Sequence, residues 1–201
     1  MQYPKYFVRL IHPLLLLATL GDCQNGTTPT RYGVVLYPAF TAIDVFGPLN
    51  ALNDLSYSCQ INLSLISATL DPVTTKPQSA AMNPLNSSFS ESVVPTHTFD
   101  NAPELDVLII PGGVGALGPS PQLESLIAFV TEMFPTLKYL ITTETTAWGP
   151  KVRWVAQARW VQDGNVFTSA GVSAGIDVTI AFIEAVYGNA TATSIATGWS
   201  T

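Results

Sequence analysis

The stretch Asp106-Val107-Leu108-Ile109-Ile110-Pro111-Gly112-Gly113 decides the fold of this chain. Four consecutive apolar β-formers lie between an acidic residue and a Pro-Gly-Gly turn, which predicts a strand buried on both faces. Such strands belong to parallel sheets with helices on both sides, where functional groups lie at the carboxyl ends of the strands. Because Gly112 and Gly113 have no Cβ, the backbone there can turn sharply and bring its N–H groups close to a ligand. The turn is therefore a candidate oxyanion hole, although many Pro-Gly-Gly sequences are only turns.

Strands and helices alternate on both sides of this stretch, which predicts an α/β three-layer αβα sandwich with a mostly parallel sheet. Asp163-Gly164 predicts the turn of a hairpin. The predicted strands are 32–37, 61–66, 107–110, 139–142, 158–161 and 165–168, and the predicted helices are 41–52, 120–135 and 175–187.

Composition sets the class of protein and excludes several partners. The 201 residues are 47% hydrophobic and 11% charged, which suits one domain with a sizeable core. The net charge is -6 and basic residues do not cluster, so we expect no nucleic acid and no anionic membrane as partners. The only histidines are His12 and His97, and the two cysteines form no cluster, so no metal or other cofactor is predicted.

The amino terminus has the pattern of a secretory signal. Lys5 and Arg9 precede the apolar run 14–20, which is far shorter than the roughly 20 residues of a membrane span. A disordered or packed N-terminal strand is the alternative. We predict a signal peptide at 1–22, a linker at 23–31 and the folded domain at 32–201.

Two further patterns fit a secreted or extracellular protein, the alternative being a cytoplasmic one. Cys23 and Cys59 could form a disulfide in an oxidising compartment, or Cys59 could be a small buried hydrophobe. Four N-x-[ST] sequons predict glycosylation, at Asn25, Asn62, Asn86 and Asn189.

The order of several motifs resembles one protein family. The stretches 34–38 (Val-Val-Leu-Tyr-Pro), 43–48 (Ile-Asp-Val-Phe-Gly-Pro), 105–113 and 160–177 resemble the DJ-1/PfpI family, and within it the isocyanide-hydratase-like branch. The match covers roughly 32–187. The resemblance implies a flavodoxin-like fold, a small-molecule ligand, a possible homodimer, and a reaction that depends on a cysteine.

The resemblance also implies the roles of individual residues. The family's cysteine lies on a sharp strand-to-helix turn, the nucleophile elbow. Asp44 aligns with an acid beside that thiol, and the amides of Gly113 and Val114 align with the oxyanion donors. The alternative for Asp44 is a carboxylate at a helix start, where the helix dipole stabilises it.

The elbow itself is missing from the sequence. Relatives continue a strand like Ile141-Thr142 as Val-Cys-Thr-Gly, whereas here Thr143-Glu144-Thr145 follows, and Gly149 soon begins sequence that normally comes later. We therefore predict that the elbow, its helix and a further strand are absent near 142–149, that the fold is incomplete, and that the nucleophile is absent. A deletion, an alternative splice or a wrong gene model would each leave this pattern. Glu144 is interpreted as a solvated loop residue, or as a hydrogen-bonding group beside the missing elbow.

A second motif offers a rival chemistry. The stretch 171–175, Gly-Val-Ser-Ala-Gly, matches the elbow of α/β-hydrolases, with Ser173 as nucleophile. That fold places its histidine after the serine, however, and both histidines precede Ser173. Capping and close packing at a helix start explain the same residues.

We therefore predict a non-catalytic relative of isocyanide hydratases that keeps the sheet and binds a small ligand or a partner. One alternative is an active hydratase-like or hydrolase-like enzyme that uses the hydroxyl of Thr143 or Thr145. A serine hydrolase and a truncated product that folds poorly are the others.

Overall fold

The computed structural model describes residues 23, 26–117, 121–143, 155 and 157–199. That part of the chain contains both strands and helices, as the sequence predicts. The strands are β1 Arg31–Val35, β2 Asn62–Ser67, β3 Val73–Thr74, β4 Ser92–Val93, β5 His97–Thr98, β6 Val107–Ile110, β7 Tyr139–Thr142, β8 Trp160–Asp163 and β9 Val166–Ser169. The α-helices are α1 Ala42–Ser56, α2 Pro121–Met133, α3 Ala174–Tyr187 and α4 Asn189–Gly198.

Seven of these strands form one sheet in the order β5-β2-β1-β6-β7-β9-β8. All neighbours pair in parallel except β8 with β9. The predicted central strand, β6, lies in the middle of the sheet, and its residues 107–109 are fully buried. The flavodoxin-like α/β prediction is therefore confirmed.

One face of the sheet is covered by α1, α3 and α4, which contact one another. Phe182 of α3 packs edge-to-face against Tyr32 of β1, Tyr139 of β7 and Phe167 of β9. Because neighbouring parallel strands are in register, residues paired with these three share their face. Ile141 and Phe167 are completely buried there.

The opposite face is covered less evenly. Leu126 and Phe129 of α2 are buried, and Phe129 stacks on Phe99 with ring centroids 4.9 Å apart. Towards the β8 edge, however, the side chains of this face are only half-buried. They are Ile110, Thr142, Val161, Val166 and Thr168.

Several predicted boundaries were wrong by a few residues. β1 runs over Arg31–Val35 rather than 32–37, and the hairpin strands lie at Trp160–Asp163 and Val166–Ser169, so the turn is at Gly164, whose φ is 58°. Helix α1 continues to Ser56, beyond the predicted end at 52, with Pro48 inside it. Helix α4 was not predicted, because its Ala- and Thr-rich sequence has little amphipathic pattern.

Within the described ranges, no helix combines the length and apolar character that a membrane crossing requires. The predicted signal peptide at 1–22 lies outside the described residues.

Candidate functional site

The candidate site lies where the chain changes direction across the sheet. From β1 the chain moves through α1 to β2 on one side, whereas β6 lies on the other side of β1. Ligands of open α/β sheets bind at such a switch point, at the carboxyl ends of the strands. Asp44, Gly112 and Gly113 all lie there, in the first turn of α1 and just after β6.

Asp44 is completely buried and holds the turn after β6. Its Oδ2 accepts a hydrogen bond from the backbone N–H of Gly112 at 3.0 Å. In the reverse direction, the N–H of Thr41 donates to the carbonyl oxygen of Gly112 at 2.9 Å. The two bonds clamp the start of α1 to the Pro-Gly-Gly turn, so Asp44 has a structural task whatever else it does.

Gly113 lies so close to the loop between β1 and α1 that no side chain fits. A Cβ placed on it would be 2.5 Å from the carbonyl oxygen of Ala39, 2.7 Å from Cα of Phe40 and 2.8 Å from the nitrogen of Thr41. All three are backbone atoms, which cannot move aside cheaply. The glycine is therefore required by packing, independently of any ligand.

The amides of the two predicted oxyanion donors differ from that of Gly112. Val114 begins a 3-10 helix, Val114–Leu117, and its side chain is partly exposed. Within the described part of the chain, no hydrogen bond uses the N–H of Gly113 or of Val114. These N–H groups can therefore donate to an added group, whereas the N–H of Gly112 donates to Asp44.

Thr143 has structural contacts that the sequence did not predict. Its backbone N–H donates to the carbonyl oxygen of Ile110 at 3.0 Å, and only 1% of the residue is exposed. Its Oγ1 donates to the carbonyl oxygen of Asp44 at 3.4 Å. That carbonyl lacks its usual helical donor, because the residue four positions on is Pro48, which has no N–H.

The side chain of Thr143 also contacts α3. A Cβ on Gly175 would be 2.9 Å from Cγ2 of Thr143, so the helix approaches the threonine through a glycine. Thr143 thus links the end of β7 to α1 and α3. The residues that follow, including Glu144 and Thr145, lie outside the described residues.

Neither cysteine is near this site. Cys23 and Cys59 form a disulfide, with their Cα atoms 5.3 Å apart. Cys59 lies between the end of α1 and the start of β2, at the amino ends of the strands, and it is also buried. The sequence contains only these two cysteines, so the disulfide uses both sulfur atoms.

Ser173 is the residue before α3, but its side chain makes no capping hydrogen bond to the helix. It is exposed and has ordinary helical backbone angles (φ -71°, ψ -21°). Its Oγ accepts a hydrogen bond from Nη2 of Arg159 at 3.2 Å, and Nε of Arg159 donates to Asp177 at 2.6 Å. His97 is on β5, at the sheet edge opposite β8, so it cannot serve as the base for Ser173.

At the other end of the sheet, Asp106 anchors a cluster of charges. Oδ2 of Asp106 accepts hydrogen bonds from the backbone N–H groups of Thr30 and Arg31, at 2.9 and 3.0 Å. Its Oδ1 pairs with the guanidinium of Arg31 at 3.0 Å and with Nζ of Lys138 at 3.4 Å. Burial acts to raise the pKa of Asp106, but these hydrogen bonds and charges prevail and hold its pKa well below the usual value.

A cleft of about 360 Å³ lies beside the candidate site, at the carboxyl ends of β1 and β2. The residues lining it include Tyr37, Ser67, Asp71, Gln78 and Phe99. The hydroxyl of Tyr37 donates to the carbonyl oxygen of Pro111 at 2.8 Å, which connects the cleft wall to the Pro-Gly-Gly turn. Sequence reasoning missed the cleft, since its far wall comes from the 68–78 segment, which has little pattern. In the described ranges no group of three His, Cys, Asp or Glu residues is placed to hold a metal ion.

Comparisons with known proteins identify a relative in sequence and several in fold. No protein-family model matches the chain. Isonitrile hydratase from Pseudomonas putida is 28% identical over 185 residues, covering 81% of this chain and 74% of the hydratase. The 185 aligned positions outnumber the residues in 81% of this 201-residue chain. Some positions of the hydratase therefore align with gaps in this chain.

Solved structures give the same picture of the fold. A ThiJ/PfpI family protein from Pseudomonas syringae superposes with a TM-score of 0.63 at 23% identity, covering 83% of this chain and 72% of the other. DJ-1beta from Drosophila melanogaster has a TM-score of 0.63 at 16% identity, covering 86% of this chain and 98% of the other. At these identities, the similarity concerns the fold.

Proposed function

We propose that this chain, a relative of isonitrile hydratase with the DJ-1/PfpI fold, is a non-catalytic form of that lineage. One observation carries the proposal. The reaction expected from the family needs a cysteine thiolate, and both cysteines of this chain are joined in a disulfide at the wrong end of the sheet. A sulfur atom in a disulfide cannot act as a thiolate nucleophile.

The remaining parts of the site support binding without turnover. Asp44 is committed to the Gly112 amide, and the N–H groups of Gly113 and Val114 are available to a ligand. Two adjacent backbone donors at a strand end favour a small molecule that presents an oxygen acceptor. The neighbouring cleft gives such a molecule room.

Two catalytic alternatives have weaker support. The hydroxyl of Thr143 is buried and donates to the Asp44 carbonyl, and no histidine in the described ranges lies near it to serve as a base. Oγ of Ser173 likewise accepts a hydrogen bond from Arg159, whose guanidinium cannot act as a general base. We therefore rank the non-catalytic function first.

The test is hydration of an isocyanide by the purified chain, followed as formation of the N-substituted formamide. We expect the background rate, unchanged in the variant Asp44→Ala. A rate above background that Asp44→Ala abolishes would show that the chain is an active hydratase.

A gain-of-function arm tests the missing elbow separately. A family-type cysteine elbow, helix and strand would be inserted between Thr142 and Gly149, with Asp44, Gly112 and Gly113 kept. We expect a higher melting temperature and an activity that iodoacetamide removes. An insertion that lowers the melting temperature and yields no activity would count against the account of a lost block.

We also propose that the chain is secreted. The disulfide between Cys23 and Cys59 supports this, because disulfides persist in oxidising compartments and are rare in the cytosol. The predicted signal peptide and the sequons support it from the sequence. The homodimer implied by the family resemblance stays a prediction.

A further inference from the structure

The loop between β3 and β4 displays two large apolar side chains to solvent. Val73 pairs with Val93 and Thr74 with Ser92, and the N–H of Thr75 donates to the carbonyl oxygen of Glu91 at 3.0 Å, so the base of the loop is fixed. Leu85 is 91% exposed and Phe89 is 89% exposed. They are the most exposed large apolar residues in the described part of the chain.

The sequon at Asn86 lies between these two residues in a well-defined turn. The side chain of Asn83 accepts a hydrogen bond from the N–H of Ser87 and donates one to its carbonyl oxygen, each at 2.9 Å. The N–H of Asn86 donates to the carbonyl oxygen of Asn83 at 3.0 Å. Asn86 has a φ of 49°, the left-handed conformation that asparagine adopts more readily than most residues.

The structure separates Asn86 from the other sequons that it describes. Asn86, Ser87 and Ser88 are all exposed. In the sequon at Asn62, by contrast, Ser64 is buried within β2.

The sequon at Asn189 is also part of the folded packing. The amide of Asn189 donates to Glu184 at 3.0 Å, and the hydroxyl of Thr191 is buried and donates to the carbonyl oxygen of Tyr187. Asn25 lies outside the described residues.

We propose that Asn86 carries an N-linked oligosaccharide that covers Leu85 and Phe89. The proposal rests on the secretion proposed above and is independent of whether the chain is catalytic. The donor is a lipid-linked oligosaccharyl diphosphate of the secretory pathway. A bond forms between Nδ2 of Asn86 and C1 of the first sugar, and the bond from C1 to the diphosphate oxygen breaks. The lipid diphosphate leaves with the bonding electrons, and the proton lost by the amide nitrogen passes to a base of the host's transferase.

The glycan on Asn86 would cover Leu85 and Phe89 because both residues are close to Asn86 along the chain. Leu85 is adjacent to the modified residue, and Phe89 is three residues away, at most about 11 Å even for an extended chain. A branched oligosaccharide on Asn86 is longer than that and shields both side chains from contact with other molecules. Without the glycan, the pair is a site for association between copies.

The first experiment is peptide mapping of the full chain secreted by a glycosylating eukaryotic host. We expect N-glycosidase to convert Asn86 to aspartate in its peptide, and we expect Ser88→Ala, which leaves Asn86 in place, to abolish the conversion. Secreted protein with Asn86 unmodified would overturn the proposal, and so would an unglycosylated product retained in the cytosol.

The second experiment tests the covering role by light scattering of the secreted protein. Ser88→Ala should associate, and adding Leu85→Ser and Phe89→Ser should restore the monodisperse state of the glycosylated protein. Asn62→Gln is the matched control, since it removes a sequon far from these side chains and should leave the scattering unchanged. A Ser88→Ala protein as monodisperse as the glycosylated one would refute the covering role.

Discussion

Asp44 and Asp106 are both buried carboxylates, but their partners differ. Asp106 accepts two backbone N–H groups and pairs with Arg31 and Lys138, so its negative charge is compensated on all sides. The Asp44 carboxylate accepts a hydrogen bond from the backbone N–H of Gly112. Asp106 is therefore a fixed anion of the scaffold, whereas Asp44 belongs to the turn that a ligand would approach.

The low pKa of Asp106 makes stability depend on pH. A carboxylate whose pKa is lowered by folding contributes stability that is fully present above its unfolded pKa of about 3.9 and is lost as the pH falls below it. We expect Asp106→Asn to lower the free energy of unfolding by about 1–3 kcal/mol at pH 7. In urea titrations, the difference from the wild type should shrink as the pH falls below about 4.

The control is Asp100→Asn, which replaces an exposed carboxylate. It should change the free energy of unfolding by no more than about 0.5 kcal/mol. A difference between wild type and Asp106→Asn that stays constant down to the acid transition would contradict the role given to Asp106.

At this scale, the sequence predicted the residues that belong to local motifs. The positions of Asp44 and Gly113 could be predicted because a helix start and a Pro-Gly-Gly turn are recognisable within a few residues. Their roles came from the family resemblance and stay predictions. The role of Thr143 could not be predicted, because it depends on Pro48 and on Gly175, which are distant in sequence and meet Thr143 only in the fold. The sequence left the pairing of Cys23 with Cys59 open for the same reason.

Helices α1 and α3 pack against each other through a glycine. A Cβ on Gly47 would be 2.7 Å from Cγ1 of Ile176 and 3.3 Å from its Cδ1. This close approach lets α1 and α3 share one face of the sheet. It also brings Gly175, at the start of α3, onto Thr143.

We expect Gly47→Ala to destabilise the protein although alanine is the better helix former. Overpacking costs about 1–3 kcal/mol and the helix gains about 1 kcal/mol, so a net loss of up to about 2 kcal/mol should appear in chemical denaturation. In the double variant with Ile176→Ala, the effect of Gly47→Ala should fall to zero or reverse.

Gly198→Ala in α4 provides the comparison, because a Cβ there meets nothing within 4 Å. It should leave the stability unchanged or slightly raised. Equal losses in Gly47→Ala and Gly198→Ala would show that close packing at Gly47 does not decide the outcome.

Predicted elements were more accurate in the interior of the sheet than at its margins. The apolar run of β6 and the strand β7 were placed correctly, since buried strands leave a strong pattern. The hairpin was displaced because Asp163 closes β8 while the turn uses Gly164, and both residues favour turns. The end of α1 was missed because Asn53, Asp54 and Ser56 are polar, although Leu55 among them is buried.

For the whole molecule, the disulfide ties the segment before the domain to the core. It closes a loop with a sequence separation of 36, which in the chain-entropy model stabilises the folded state by about 3–4 kcal/mol. Replacing Cys23 by serine and Cys59 by alanine should lower the free energy of unfolding by that amount, measured by urea denaturation.

Thiol titration of the native protein provides the accompanying control. No free thiol should be detected before reduction and two should be detected after it. Two free thiols in the native protein would contradict the disulfide, and would also remove the main support for a non-catalytic function.

The place of β8 in the sheet has a consequence for how such a protein can change. Because β7 and β9 are parallel, the chain leaves β7 at the carboxyl end of the sheet and must enter β9 at the amino end. It therefore passes along the sheet an odd number of times between them, and β8, which is antiparallel to β9, is one such downward passage. A helix followed by a strand adds one passage down and one up, so its presence or absence leaves the direction of β9 unaltered. Losing the helix alone would reverse β9. The parity of passages therefore lets a chain of this topology lose a catalytic helix–strand pair while its remaining strands keep their neighbours, and selection for folding alone does not protect the reaction.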